Sequence, residues 1–182
     1  MANSFLRSGI SVDLPIRYGD ISLSLAPTGT IFSIMPFKGK TRRTASKLKN
    51  ILNIDLPQPN LRASSGEIII YSVGLDQWFI TSPNTFELFS LLSDVAAITN
   101  QSDGWVKVLL TDSPDKDVLA RLCPVQPVVE QVVRTKFAGM MSIVCFTESG
   151  AELFFMRSMI ETAINEIDIA MKSVAAQRAS NE

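Results

Sequence analysis

Apolar and polar residues alternate strictly in Ile21-Ser22-Leu23-Ser24-Leu25, the period of a half-buried strand. The turn signal Pro27-Thr28-Gly29 follows, and Ile31 to Met35 reads as a second strand closed by Pro36, so the pair predicts a hairpin. Between Thr41 and Leu52 the period changes. Ala45, Leu48, Ile51 and Leu52 recur at three- and four-residue steps and predict a helix. Pro57-Gln58-Pro59-Asn60 breaks the chain and opens a loop that runs through Gly66. Ile68 to Val73 is a β-branched strand, turned by Gly74-Leu75-Asp76 into Trp78-Phe79-Ile80.

A helix is expected next. It starts at Ser82-Pro83 or Asn84, with Glu87 three residues after Asn84 and Phe86, Leu88, Phe89 and Leu92 as its apolar stripe. Val95 to Thr99 and Trp105 to Leu110 read as strands joined by the tight turn Ser102-Asp103-Gly104. Ser113-Pro114-Asp115 supplies a cap, a preset φ and a charge suited to a helix start; Val118, Leu119 and Leu122 face inward and Pro124 ends the helix. Three strands follow, over 132–137, 141–146 and 152–156, with Gly139 and Gly150 at their turns. The last helix carries Ile160, Ala163, Ile164, Ile167, Ala170, Met171 and Val174 on one face, after a capping box Ser158-Met159-Ile160-Glu161. Residues 1–20 are expected to lie extended over the surface, and those from Ala175 on to fray. Antiparallel strand pairs interleaved with helices make an α+β fold, read as a single domain over residues 1–182 with 1–20 and 175–182 peripheral.

At 182 residues the chain is long enough to bury a core without staples. With 46% hydrophobic and 19% charged residues its composition is globular, and a net charge of −1 provides no global field for nucleic acid. Zero histidines change the picture most: Ser-His-Asp and Cys-His nucleophile systems are excluded, and so are His-ligated zinc sites. Cys123 and Cys145 lie in core-like stretches and read as structural thiols; Cys123 has no neighbouring base to make a reactive thiolate. No apolar run reaches the ~18 residues of a membrane span, and none follows Met1 as a secretory signal would, so a cytoplasmic chain without membrane contact is expected.

Little remains as candidate chemistry. Gly39-Lys40-Thr41 has the ending of a phosphate-binding loop, but Ile34 stands where that motif requires a glycine. Asp112, Asp115 and Asp117 surround a helix start, where acids suit the dipole without any metal. Asn60 and Arg62 are polar and have no partner in the sequence. Lys38, Lys40, Arg42, Arg43, Lys47 and Lys49 put six cations in twelve residues with no acid among them. They make a solvated helix face, or a contact for an anionic partner such as an acidic protein surface or RNA. Only Phe37 could stack on bases, which weighs against RNA. Lys38, Lys40, Arg42, Arg43 and Lys47 are therefore candidate partner contacts, with Trp78 and Trp105 as candidate apolar anchors or core residues.

Several residue strings, in order, bear on identity. They are Met35-Pro36-Phe37-Lys38-Gly39-Lys40, Leu56-Pro57-Gln58-Pro59-Asn60, Gln77-Trp78-Phe79-Ile80 and Gln101-Ser102-Asp103-Gly104-Trp105. Asp117-Val118-Leu119-Ala120-Arg121-Leu122-Cys123-Pro124-Val125 follows, then Arg134-Thr135, Met140-Met141, Gly150-Ala151-Glu152-Leu153-Phe154 and Arg157-Ser158. Over roughly residues 30 to 172 this series resembles the gamma subunit of heterotetrameric sarcosine oxidase. Thr111-Asp112-Ser113 departs from the Gly-Pro type turn common there. The resemblance implies a reduced form of the folate-binding aminomethyltransferase fold. It implies a non-catalytic chain that binds no cofactor or metal and packs with alpha, beta and delta subunits. FAD, FMN, NAD, tetrahydrofolate and zinc would sit on those partners, and the complex would oxidatively demethylate sarcosine or a related N-methyl amine. Two other readings stay open: a stand-alone folate-binding or aminomethyltransferase-like protein, and an RNA-interacting module.

Overall fold

The computed structural model describes residues 10–27, 29–83, 88–112 and 116–180. It is an α+β protein with two antiparallel sheets and four helices among the described residues. The chain divides into two compact units: Met1–Ala26, Asp103–Val129 and Arg134–Glu182 form the first, Pro27–Ser102 and Glu130–Val133 the second.

The first unit is built on β1 (Ile16–Tyr18), β2 (Ile21–Leu25), β8 (Trp105–Thr111), β9 (Val132–Phe137, whose first two residues belong to the second unit), β10 (Met140–Thr147) and β11 (Gly150–Met156), in the order β1-β2-β8-β11-β10-β9. Leu23 lies opposite Leu110, and Val108 opposite Leu153, so alternate residues of β2, β8 and β11 share one buried face. The long helix α4 (Ile160–Ala179) packs against β1, β2, β11 and the short helix α3 (Asp117–Leu122). All seven residues of its apolar stripe are buried. A period of 3.6 over twenty residues leaves a helix only one way to face a sheet.

The second unit orders its sheet β4-β5-β6-β3-β7, from β3 (Thr30–Pro36), β4 (Arg62–Ser65), β5 (Ile68–Gly74), β6 (Gln77–Ser82) and β7 (Ala96–Asn100). The register sets Phe32 opposite Ile80, Ile80 opposite Ile70, and Ile34 opposite Trp78, which makes one continuous apolar face. Leu48 and Leu52 of α1 (Thr41–Leu52), with Leu88 and Leu92 of α2 (Leu88–Leu92), close the core over that face. Helix α1 stops because Asn53 takes the left-handed conformation and donates its N–H to the Lys49 carbonyl.

Several expectations are corrected. β2 and β3 do not form a hairpin: Ala26 N–H donates to the Lys107 carbonyl, and the chain then enters the other sheet. β7 and β8 likewise belong to different sheets. The loop expected through Gly66 contains strand β4, whose Arg-Ala-Ser-Ser sequence has no apolar alternation to reveal it. The inward face of α1 uses Thr44 in place of Ile51, which is exposed. The Thr44 hydroxyl donates to the Lys40 carbonyl, so burial leaves it satisfied. Leu122 is only partly buried.

At α4 the capping box is absent; residues Arg157–Met159 form a 3₁₀ turn, and the Glu161 carboxylate instead accepts from the N–H and hydroxyl of Ser11. The end of α4 does not fray at Ala175, because Arg178 pairs with Asp117 at 3.0 Å and with Asp20 at 3.4 Å. Within 1–20, Ile16–Tyr18 is strand, not only extended surface chain. Of the two starts read for the second helix, Ser82 is the last residue of β6, while Asn84–Glu87, like the start at Ser113–Asp115, lies outside the described residues.

Candidate functional site

The basic segment follows β3 directly. Phe37 N–H donates to the Val95 carbonyl, and Lys40 N–H closes a turn onto the Phe37 carbonyl, with Gly39 at a φ of 74° that a side chain would strain. Gly39 thus serves this turn. Helix α1 begins at Thr41 with no acid in its first turn, so Arg42 and Arg43 oppose its dipole.

The structure divides the six cations into two sets. Arg43 donates to Asp94 at 3.2 Å and Lys47 to the same carboxylate at 2.6 Å; Lys49 meets Asp55 at 2.6 Å. The hydrogen bond from Lys47 holds the Asp94 carboxyl below its ordinary value. Lys38, Lys40 and Arg42 are exposed and make no ion pair with a described residue. The unpaired three lie at the turn and the first helical turn. Beside them Met35 and Phe37 are 47% and 46% exposed. Phe37 is the side chain the sequence singled out as able to stack, whereas Met35 was missed, because a Met at a strand end looks like core.

Trp78 and Trp105 are core residues at 6% and 8% exposure. Trp78 donates its ring N–H to the Pro57 carbonyl, and Trp105 stands opposite Met156 on β11. An apolar anchor for a partner needs exposed area, so neither residue supplies one in this fold.

The other candidates have structural partners. Asp112 is buried and accepts from the N–H groups of Val118 and Leu119, which caps α3 through a carboxylate six and seven residues upstream. Asp117 pairs with Arg178. Asp115 lies outside the described residues, and among the described ones no three Cys, Asp or Glu come together. Burial pushes the Cys123 thiol up, away from reactivity. Arg62 meets Glu130 through two hydrogen bonds of 2.6 and 2.7 Å, a pair 68 residues apart. Asn60 adopts a φ of 63° and its carbonyl accepts from Val132 N–H. A shallow concavity at the end of α4 is lined by Ser173, Ala176, Gln177 and Ser180. Its polar groups are engaged: Arg121 donates to Ser173 and Gln177, and the Ser180 hydroxyl to the Ala176 carbonyl.

Three carboxylates carry a pH dependence of one sign. Hydrogen bonds from Lys47, Arg62 and Ser11 lower the pKa values of Asp94, Glu130 and Glu161 respectively. A lowered folded-state pKa adds stability above the unfolded value, and that stability is lost as pH falls through the folded value. The melting temperature should therefore hold from neutrality to about pH 5 and fall below about pH 4. Glu130→Gln should flatten that acid slope; an identical slope in thermal melts of the two proteins would refute the assignment.

No protein-family model matches the chain, and no curated protein matches it in sequence. Among solved structures it is similar to a chain of heterotetrameric sarcosine oxidase from Corynebacterium sp. U-96, solved in complex with pyrrole 2-carboxylate. The TM-score is 0.74 and the identity 16%, and the match covers 85% of this chain and 85% of that one. At this identity the likeness is one of fold. Among the described residues, no helix is long and apolar enough to cross a membrane.

Proposed function

We propose that the chain is the non-catalytic gamma-type subunit of a heterotetrameric sarcosine oxidase-type complex, with a role in assembly and stability. The observation that carries this reading is the fold likeness to a chain of such a complex. Equal 85% coverage of both chains means that the matched chain is about as long as this one, so the likeness extends over most of each. The residue inventory supports a passive role: with no histidine, proton transfer would fall to carboxylates, Lys, Tyr or Cys, and of the carboxylates Asp94 and Glu130 already hold ion pairs, Asp112 a helix cap and Glu161 the hydrogen bonds from Ser11. Under this reading the complex oxidises sarcosine or a related N-methyl amine, and FAD, FMN, NAD, tetrahydrofolate and zinc belong to the alpha, beta and delta partners.

The test is affinity purification of the tagged chain from its native host. The expected result is a stoichiometric complex with larger flavin-bearing subunits and N-methyl amine oxidase activity. The chain purified alone is expected to be colourless, metal-free and without turnover. Oxidation of an N-methyl amine by the isolated chain, or recovery of RNA and ribosomal proteins as its only partners, would overturn the reading.

A further inference from the structure

We propose that the free edge of β7 is a docking strand for an extended segment of a partner protein, with acidic residues of that segment meeting Lys38, Lys40 and Arg42. The proposal deepens the subunit reading and rests on it in one respect, that the chain has a protein partner.

The ladder itself shows which backbone groups are free. Gln101 N–H donates to the Ile31 carbonyl and Phe37 N–H to the Val95 carbonyl, at the two ends of the β3–β7 pair. In an antiparallel ladder, hydrogen-bonded and non-bonded pairs alternate. Residues 95, 97, 99 and 101 therefore turn their amides and carbonyls toward β3. Those of Ala96, Ile98 and Asn100 point the other way, where no described strand follows; Ala96 is buried at 3% exposure, so the accessible groups of the edge are those of Ile98 and Asn100.

Sheet edges are ordinarily protected by lysine, proline, bulges or brevity. The opposite edge, β4, is four residues long and carries Arg62. β7 has none of these devices: Ala-Ala-Ile-Thr-Asn contains no charge and no proline, and its register to β3 is unbroken. An unprotected edge of this kind is a template for strand addition.

The side chains around it define the occupant. Met35 lies directly opposite Ala97, and Phe37 is tied to Val95, so two half-exposed apolar side chains flank the edge strand. Bonds from Phe37 N–H and the Thr44 hydroxyl to the Val95 carbonyl bring the turn and the start of α1 to the N-terminal end of β7. There Asp94, next to Val95 in the chain, is already shared by Arg43 and Lys47, and Lys38, Lys40 and Arg42 are left for carboxylates from outside. Charge complementarity thus selects an acidic partner. The edge selects a polypeptide over a nucleic acid: it offers carbonyl acceptors alternating with N–H donors, and phosphate oxygens can only accept.

The experiment uses the complex recovered from the native host with the tagged chain, and compares backbone amide exchange in the complex and in the free chain. The amides of Ile98 and Asn100 should exchange at least about tenfold more slowly in the complex, the mark of new backbone hydrogen bonds. Ile98→Pro removes an N–H that the β3 ladder does not use and should lose the complex; the Ile98 side chain packs on the core of this unit, so circular dichroism of the free variant first establishes that it is folded. Lys40→Glu with Arg42→Glu leaves the edge intact and should slow association at low salt by about tenfold. An intact protein complex with unchanged β7 exchange, or wild-type association by both variants, overturns the docking edge and leaves the subunit reading standing. Recovery of no protein partner, or of nucleic acid alone, overturns the subunit reading and the edge with it.

Discussion

Ile164→Asp should leave no stably folded protein. Ile164 is buried in the middle of the α4 stripe, which packs on β1, β2, β11 and α3. The substitution removes buried aliphatic volume at about 2–5 kcal/mol. It also places a carboxylate where the described neighbours in the stripe are Ile160, Ala163, Ile167 and Met171. That carboxylate must be protonated or remain an unpaired buried charge, and either adds to the loss. Against a typical total of about 5–15 kcal/mol this consumes most of the stability. The expected outcome is insoluble expression or a broadened melt far below that of the parent. Ile164→Val, at about 1 kcal/mol, separates charge from volume and should fold. A soluble Asp variant with the parental melting temperature would mean that α4 is not packed as described.

Gly150→Ala should be the next most damaging single change. Gly150 begins β11 between β8 and β10 at a φ of 151°. A Cβ there would lie 2.0 Å from the Leu110 carbonyl oxygen and 3.0 Å from the Asp112 nitrogen. Both are backbone atoms held in place: Asp112 N–H donates to the Ser149 carbonyl at 2.8 Å, and the Asp112 carboxylate caps α3. Relief of the clash must move the β8–β11 ladder or that cap, at about 3 kcal/mol or more. Gly139→Ala is the comparison, since its φ is 79° but nothing lies within 4 Å of the added carbon. It carries conformational cost alone, about 1 kcal/mol. At about 2–4 °C per kcal/mol, thermal melts should show a drop for Gly150→Ala roughly three times that for Gly139→Ala. Equal drops would show that the close approach at Leu110 relaxes freely.

What was legible at the candidate site follows the range of each interaction. The cations of the basic segment are visible in one dimension because they are adjacent. Their separation into paired and unpaired sets depends on Asp94, which is more than forty residues downstream of Lys47. Arg62 and Glu130 are further apart still, and no local pattern links them. The tryptophans show the same limit: a strand tryptophan fits core and interface equally well, and only the packed fold places Trp78 against Pro57.

By itself the sequence determined the elements with a strong period. α1 spans Thr41–Leu52 and β2 spans Ile21–Leu25 as the spacing predicts, and every residue of the α4 stripe is buried. Periodicity is a local property, set by 3.6 residues per turn or by the two-residue pleat, so a short window contains it. The tertiary structure decided which strands pair. Pro27-Thr28-Gly29 and Ser102-Asp103-Gly104 read as hairpin turns, yet the chain passes from one unit to the other at Ala26/Pro27 and at Ser102/Asp103. Alternation and a turn signal are the same for a hairpin and for a change of sheet. The choice between them is made by partners far along the chain, β8 for β2 and β6 for β3, whose opposing side chains complete each buried face. The exposed edge of β7 follows from that choice, because a strand is an edge only by virtue of where the other strands have gone.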